Sequence, residues 1–153
     1  RTGRMMPEDG LERLDVFDAI LLGAVGSPEV PEEIPVRGLV LPIRQRFDQF
    51  VNLRPMRLLS GTVSPLSGRG PGEIDMLCVR ENSEGEYAGT GRRQRQGEPD
   101  ERAEQTAVFT RAGVERIVRF AFEAARQRPA RRLASATKSN VLQHSMTLWD
   151  EVV

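Results

Sequence analysis

Residues 17–23, FDAILLG, form an apolar run closed by a glycine. A run of this kind predicts a buried strand of a parallel sheet. Upstream, PEDGLERL (7–14) predicts a short helix, because Pro7, Glu8 and Asp9 suit a helix start. Downstream, GAVGSPEVPEEIP (23–35) reads as a loop at the strand's carboxyl end, where open α/β sheets place their ligand sites. Leu39, Ile43, Phe47 and Phe50 then recur at helical spacing. They predict an amphipathic helix over 38–50, with Pro42 tolerated near its start.

Further along, NLRPMRLL (52–59) reads as a strand in which Pro55 argues for an edge or a bend. SGTVSPLSGRGPGE (60–73) is a surface loop by composition, and IDMLCVR (74–80) is another apolar strand. GEYAG and EQTAVFT bracket the polar stretch TGRRQRQGEPDER, which reads either as a projecting hairpin or arm or as a disordered loop. The clearest helix follows. Thr110 can cap it, and Val114, Ile117, Val118, Ala121, Phe122 and Ala125 line one face. Arg126 and Arg128 lie in its last turn, and Pro129 ends it. RRLASATK (131–138) predicts a strand entering a turn at Lys138, and LQHSMTLWDEVV (142–153) begins a further helix with Trp149 as a core residue. The alternation of strands and helices gives an α/β layered fold. No G-x-G-x-x-G motif follows the first strand, so the Rossmann fingerprint is absent.

With 153 residues, 39% hydrophobic and 29% charged, the chain suits one ordinary globular core. Lys+Arg and Asp+Glu both total 22, so no basic footprint points to nucleic acid. RRQRQ (92–96) is followed by EPDE and reads as a solvated loop of mixed charge. No apolar run approaches the ~20 residues of a membrane span, and the expected compartment is the cytoplasm. The single cysteine, Cys78, excludes an intrachain disulfide and is expected to be a small buried strand residue. His144, the only histidine, has no companion cluster for a metal.

The residues that carry chemistry are Arg44, Arg54 and Arg80, with Tyr87 and Lys138. Three guanidiniums gathered near one cleft are costly without an anion between them. They predict a substrate with more than one carboxylate or phosphate. A tyrosine and a lysine beside them would donate and accept a proton.

The stretches MMPEDGLE, FDAILLGAVGSP, GLVLPIRQRFDQFVNLRP, VRENSEGEYAG, AVFTRAGVERIVRFAFEAA and SATKSN resemble the β-decarboxylating (isocitrate/isopropylmalate) dehydrogenases, in the family's order. The resemblance covers nearly the whole chain and is strongest to the tartrate/D-malate branch. GLVLPIR looks one residue longer than its isopropylmalate dehydrogenase counterpart. The resemblance implies a partial isocitrate/isopropylmalate dehydrogenase-like fold. Residues 1–50 would belong to the cofactor-side domain, and 51–153 to the dimerisation and substrate domain.

For chemistry, it implies NAD-dependent oxidation of a 2-hydroxy dicarboxylic acid such as tartrate or D-malate, with or without decarboxylation. The alternatives are a non-catalytic dimerisation and dicarboxylate-binding remnant, or a 3-isopropylmalate or isocitrate dehydrogenase relative. Arg44, Arg54 and Arg80 match the carboxylate-binding arginines. Lys138 matches the lysine that deprotonates the hydroxyl, in a neighbouring copy's site, so a homodimer is implied. Tyr87 matches the tyrosine that protonates the enol carbon, and Asn140 a position near the nicotinamide. The cofactors implied are NAD and Mg2+ or Mn2+, with the metal-binding aspartates outside this central segment. Residues 89 to 105 resemble the clasp that interlocks two subunits. One departure stands out: the family's Ser-Leu-Trp-Gly reads here as PVRG (35–38), with Arg37 in place of the aromatic residue.

Overall fold

The computed structural model describes residues 4–153. It is mixed α/β, and it divides into two compact units, one up to Gln49 and one from Phe50 to Val153. No helix of the described residues is long and apolar enough to cross a membrane.

The first unit opens with α1 (Gly10–Leu14). Its later helical run has three parts: α2 (Glu33–Pro35), a π-turn (Val36–Val40) and α3 (Leu41–Arg46). Leu41 N–H bonds to Val36 O, five residues back, which widens the turn just before Pro42. Pro42 has no N–H, so a regular helix would lose a bond there in any case. The helix therefore begins before residue 38, and it stops at Arg46, before Phe47 and Phe50. Asp48 turns the chain with φ at 42°. Ile43 is the buried anchor, and Arg46 pairs with Asp15 at 2.9 Å.

FDAILLG is not a strand. It forms no ladder, and Leu21 is 100% exposed. A parallel strand takes its hydrogen bonds from neighbours on both sides. Among the described residues no strand lies beside this segment. RRLASATK forms no ladder either, and for the same reason.

The second unit holds two separate antiparallel pairs. β1 (Val51–Arg57) pairs with β2 (Asp75–Glu81), so Pro55 sits in a two-stranded sheet, where a missing N–H is tolerated. β3 (Gly85–Gln94) pairs with β4 (Arg102–Val108), which makes the 89–105 stretch an ordered hairpin. α4 (Arg111–Arg126) packs against β2, and α5 (Ser145–Val152) packs against α4. Val114 and Ile117 are each 1% exposed. Burying side chains of that size contributes roughly 1.5–3 kcal/mol each. The Thr110 hydroxyl accepts from Gly113 N–H at 3.0 Å and starts α4 as its sequence predicts. Trp149 is half-buried rather than core, and its Nε1 donates to Ser135 Oγ at 2.8 Å.

Candidate substrate-binding site

In β1 and β2 the ladder register sets which side chains share a face. Asn52 stands opposite Arg80, and Arg54 opposite Cys78. Residues directly opposite in an antiparallel pair point to the same side, and so do residues two apart on one strand. Asn52, Arg54, Cys78 and Arg80 therefore share one face of the sheet. Leu77 and Val79 alternate onto the other, and the 77–79 stretch, Cys78 included, borders a cavity beside Ile117 and Ala121 of α4. The register places Cys78 on the arginine face. It is exposed, not buried as its apolar neighbours suggested.

Arg80 and Tyr87 meet. The Arg80 guanidinium carbon lies 5.2 Å from the Tyr87 ring centroid, and Arg80 Nη2 donates to the phenol oxygen. Cation and ring attract each other at that range. With a donor already on its oxygen, the phenol keeps its own O–H to donate elsewhere. On the same face, Arg54 Nε donates to Asn52 Oδ1 at 3.0 Å. Asn52 Nδ2 in turn donates to Asn82 Oδ1 at 3.5 Å, a long contact. Neither Arg54 nor Arg80 forms an ion pair with a carboxylate among the described residues.

The turn between Arg80 and Tyr87 is held by two carboxylates. Glu81, its side chain 8% exposed, accepts from Ser83 N–H at 2.9 Å, Ser83 Oγ at 2.5 Å and Glu84 N–H at 2.7 Å. Arg116 reaches over from α4 to donate to Ser83 Oγ at 2.6 Å and lies 3.9 Å from Glu81. Glu84 accepts from Thr110 N–H at 2.9 Å and from the Thr110 hydroxyl at 2.6 Å. Its negative charge sits at the N-terminus of α4, where the helix dipole favours it. Gly113 leaves room for that carboxylate, since a Cβ there would collide with Glu84. Gly85, at φ +71°, makes the turn that leads into Tyr87.

Lys138 and Asn140 lie in an exposed turn, where Lys138 O accepts from Val141 N–H at 3.0 Å and Leu142 N–H at 2.9 Å. No hydrogen bond or ion pair joins either side chain to Arg54, Arg80 or Tyr87. Arg44 belongs to the first unit, half-buried on α3 beside Ile43. Arg37 is exposed in the π-turn of that unit. Among the described residues, no group of three or more His, Cys, Asp or Glu could hold a metal ion.

Sequence reasoning did not single out Asn52, Glu81, Glu84 or Arg116. Asn52 was within reach, because it is two residues from Arg54 on a strand and must share its face. Arg116 was not, because its role depends on how α4 docks.

The whole chain, residues 1–153, matches the isocitrate/isopropylmalate dehydrogenase family. Over 152 residues, 99% of the chain, it is 53% identical to a probable tartrate dehydrogenase/decarboxylase of Agrobacterium vitis. It is 54% identical, over the same share, to the D-malate dehydrogenase [decarboxylating] of Escherichia coli (strain K12). The chain spans 42% of the length of each of these two relatives. Against the crystal structure of isocitrate dehydrogenase from Methylococcus capsulatus the TM-score is 0.68 at 31% identity, covering 96% of this chain and 41% of that one.

Proposed function

The chain belongs to the isocitrate/isopropylmalate dehydrogenase family, and from that premise we propose that it supplies the substrate-gripping and proton-moving residues for NAD-dependent oxidation of a 2-hydroxy dicarboxylic acid such as tartrate or D-malate, with or without decarboxylation. What supports this reading most is one arrangement. Two arginines share a sheet face, neither neutralised by a carboxylate among the described residues, and one of them holds the phenol oxygen of Tyr87.

In this reading Arg54 and Arg80 each take a substrate carboxylate in a forked pair of hydrogen bonds. Two such forks fix which face of the 2-hydroxyl carbon is presented, and geometry of that kind is worth several kcal/mol of barrier. Lys138 of a second copy accepts the hydroxyl proton, and Tyr87 donates its free O–H hydrogen to carbon after carbon dioxide leaves. The Asn140 carboxamide, with no hydrogen-bond partner among the described residues, fits a contact to the nicotinamide end of NAD. A bound NAD would supply the hydride acceptor. The described residues do not by themselves fit a divalent metal, because no acidic or histidine cluster gathers among them.

A second reading keeps the binding and drops the turnover. The exposed turn that carries Lys138, with no hydrogen bond or ion pair from that side chain to Arg54, Arg80 or Tyr87, favours it. An assay of NAD reduction with D-malate, tartrate and 3-isopropylmalate, with manganese present, separates the two. The dehydrogenase reading expects NADH from D-malate or tartrate, lost in Lys138→Met. Tartrate binding with no NADH at any enzyme concentration leaves the non-catalytic reading. Activity that persists in Lys138→Met removes the role assigned to that lysine.

A further inference from the structure

The acids of this chain stand opposite some strand arginines and not others. Arg57 faces Asp75 across the β1–β2 ladder, with Nε 3.2 Å from the carboxylate. Arg92 faces Glu104 across β3–β4 at 2.6 Å. Arg80 faces Asn52, and Arg54 faces Cys78. At the candidate site, both facing positions are neutral.

We propose that Asn52 is the positioning residue of this site: a neutral side chain that fixes the Arg54 guanidinium by its Nε and keeps a carboxylate out of the position facing Arg80. The inference rests on the dicarboxylate reading above and names what preserves that site's charge. The Asn52 amide has one consistent orientation. Its Oδ1 accepts from Arg54 Nε at 3.0 Å, and its Nδ2 donates to Asn82 Oδ1 at 3.5 Å. Asn82 is 5% exposed, and its own N–H is held by Phe50 O at 3.0 Å, so the anchor beneath Asn52 is fixed. With Nε engaged, Arg54 presents its two terminal nitrogens, the end-on fork that grips one carboxylate. An aspartate at position 52 would still accept from Arg54. It would also bring a permanent negative charge opposite Arg80 and compete with any incoming dianion.

The test uses the 153-residue chain with malonate, a small unreactive dicarboxylate, as the probe. Asn52→Asp should melt about 2 °C or more above wild type at low ionic strength, because it gains an ion pair, and the gain should vanish in high salt. Its malonate affinity, by titration calorimetry, should fall about 10-fold or more, the scale of a lost charge-assisted contact. Asn52→Ala frees Arg54 without neutralising it and should lose only about 3-fold. Cys78→Asp, at an exposed position facing Arg54, should weaken malonate in the same direction as Asn52→Asp. Tyr87 is the only tyrosine. A fluorotyrosine-labelled chain therefore gives one fluorine resonance, which malonate should shift in wild type and leave unmoved in Asn52→Asp.

Unchanged malonate affinity in both aspartate variants overturns the inference. So does a melting temperature for Asn52→Asp that is lower and indifferent to salt. Wild type that ignores malonate, with the salt-sensitive gain of Asn52→Asp intact, overturns the dicarboxylate reading alone, since the charge-pairing half is read with no ligand present.

Discussion

The β3–β4 arm and the β1–β2 sheet are both antiparallel pairs that carry arginine, and they treat it in opposite ways. In the arm, Arg92 pairs with Glu104 at 2.6 Å, Arg93 with Glu101, Arg95 with Asp100, and Arg102 with Glu104 at 3.1 Å. In the sheet, Arg57 has Asp75, while Arg54 and Arg80 have an asparagine and a tyrosine. A guanidinium matched to a nearby acid has little left to offer an outside anion. One matched to neutral groups keeps its full charge and some of its donors. The count of arginines is thus a poor guide to an anion site. Whether an acid lies within reach of the guanidinium is a better one, since Arg93 and Arg102 face Ala103 and Gln94 across the ladder yet pair with Glu101 and Glu104.

The sharpest way to break that contrast is to remove one arginine from each region. Arg80→Met should lower malonate affinity about 100-fold, because a charge-assisted carboxylate contact is worth roughly 1.5–3 kcal/mol. Arg80→Lys should still lose about 10-fold, since an ammonium cannot fork a carboxylate while holding the Tyr87 oxygen. Arg92→Met in the arm should leave affinity within about 2-fold. Calorimetric titration reads all three. Equal losses from the two regions would erase the distinction.

The contrast also predicts that the site depends on an acid that never touches the substrate. Glu84 fastens the Arg80–Tyr87 turn to the start of α4 and needs Gly113 bare. Gly113→Ala should cost about 2 kcal/mol in urea denaturation, through displacement of that carboxylate and the bonds it accepts. The same variant should lower malonate affinity even after the loss of folded protein is corrected for. A full loss of stability with undiminished affinity per folded molecule would mean the turn does not align Arg80.

In the arm, the Arg92–Glu104 pair gives a smaller number. Its side chains are 61% and 35% exposed. A double-mutant cycle with Arg92→Met and Glu104→Gln should return an interaction of under ~1 kcal/mol, reduced further by salt. A coupling several times larger would make the arm's pairs structural supports instead of charge neutralisers.

Much of the second unit was legible in the sequence, and the reason is locality. The Thr110 cap, the α4 face and the two strands around Pro55 and Cys78 are set by residues within a few positions of one another. The run FDAILLG misled because its apolar pattern calls for neighbouring strands that the described residues do not provide. Cys78 misled because alternation gives its period but not which face meets α4. The same limit hid the site's supports. Arg54, Arg80 and Tyr87 were found through motifs. Asn52 opposite Arg80, and Glu84 against a helix 26 residues away, follow from register and docking, which no single stretch specifies.

Acid should produce the smallest effect, and it too divides the regions. Glu101 in the arm is held below its ordinary 4.5, first by the hydrogen bond from Arg93 and then by Gly97 N–H. Asp75 at the far end of the sheet is held below its ordinary 3.8, first by the hydrogen bond from Arg128. Both shifts are downward, so the unfolded chain takes up these protons first as pH falls. The stability they contribute is therefore complete above the ordinary values and disappears as pH drops through the lower folded ones. Glu101→Gln should flatten the arm's acid response below about pH 5, read as hydrogen-exchange protection of β3 and β4. Asp75→Asn should flatten the response at the far end of β1–β2 and leave the arm's unchanged. Because Asp75 is exposed and Glu101 only half-buried, each change should be slight and should shrink in salt. If Glu101→Gln alters protection in β1 and β2 as much as in the arm, the two hairpins open together, and their different use of arginine is a matter of placement within one cooperative body.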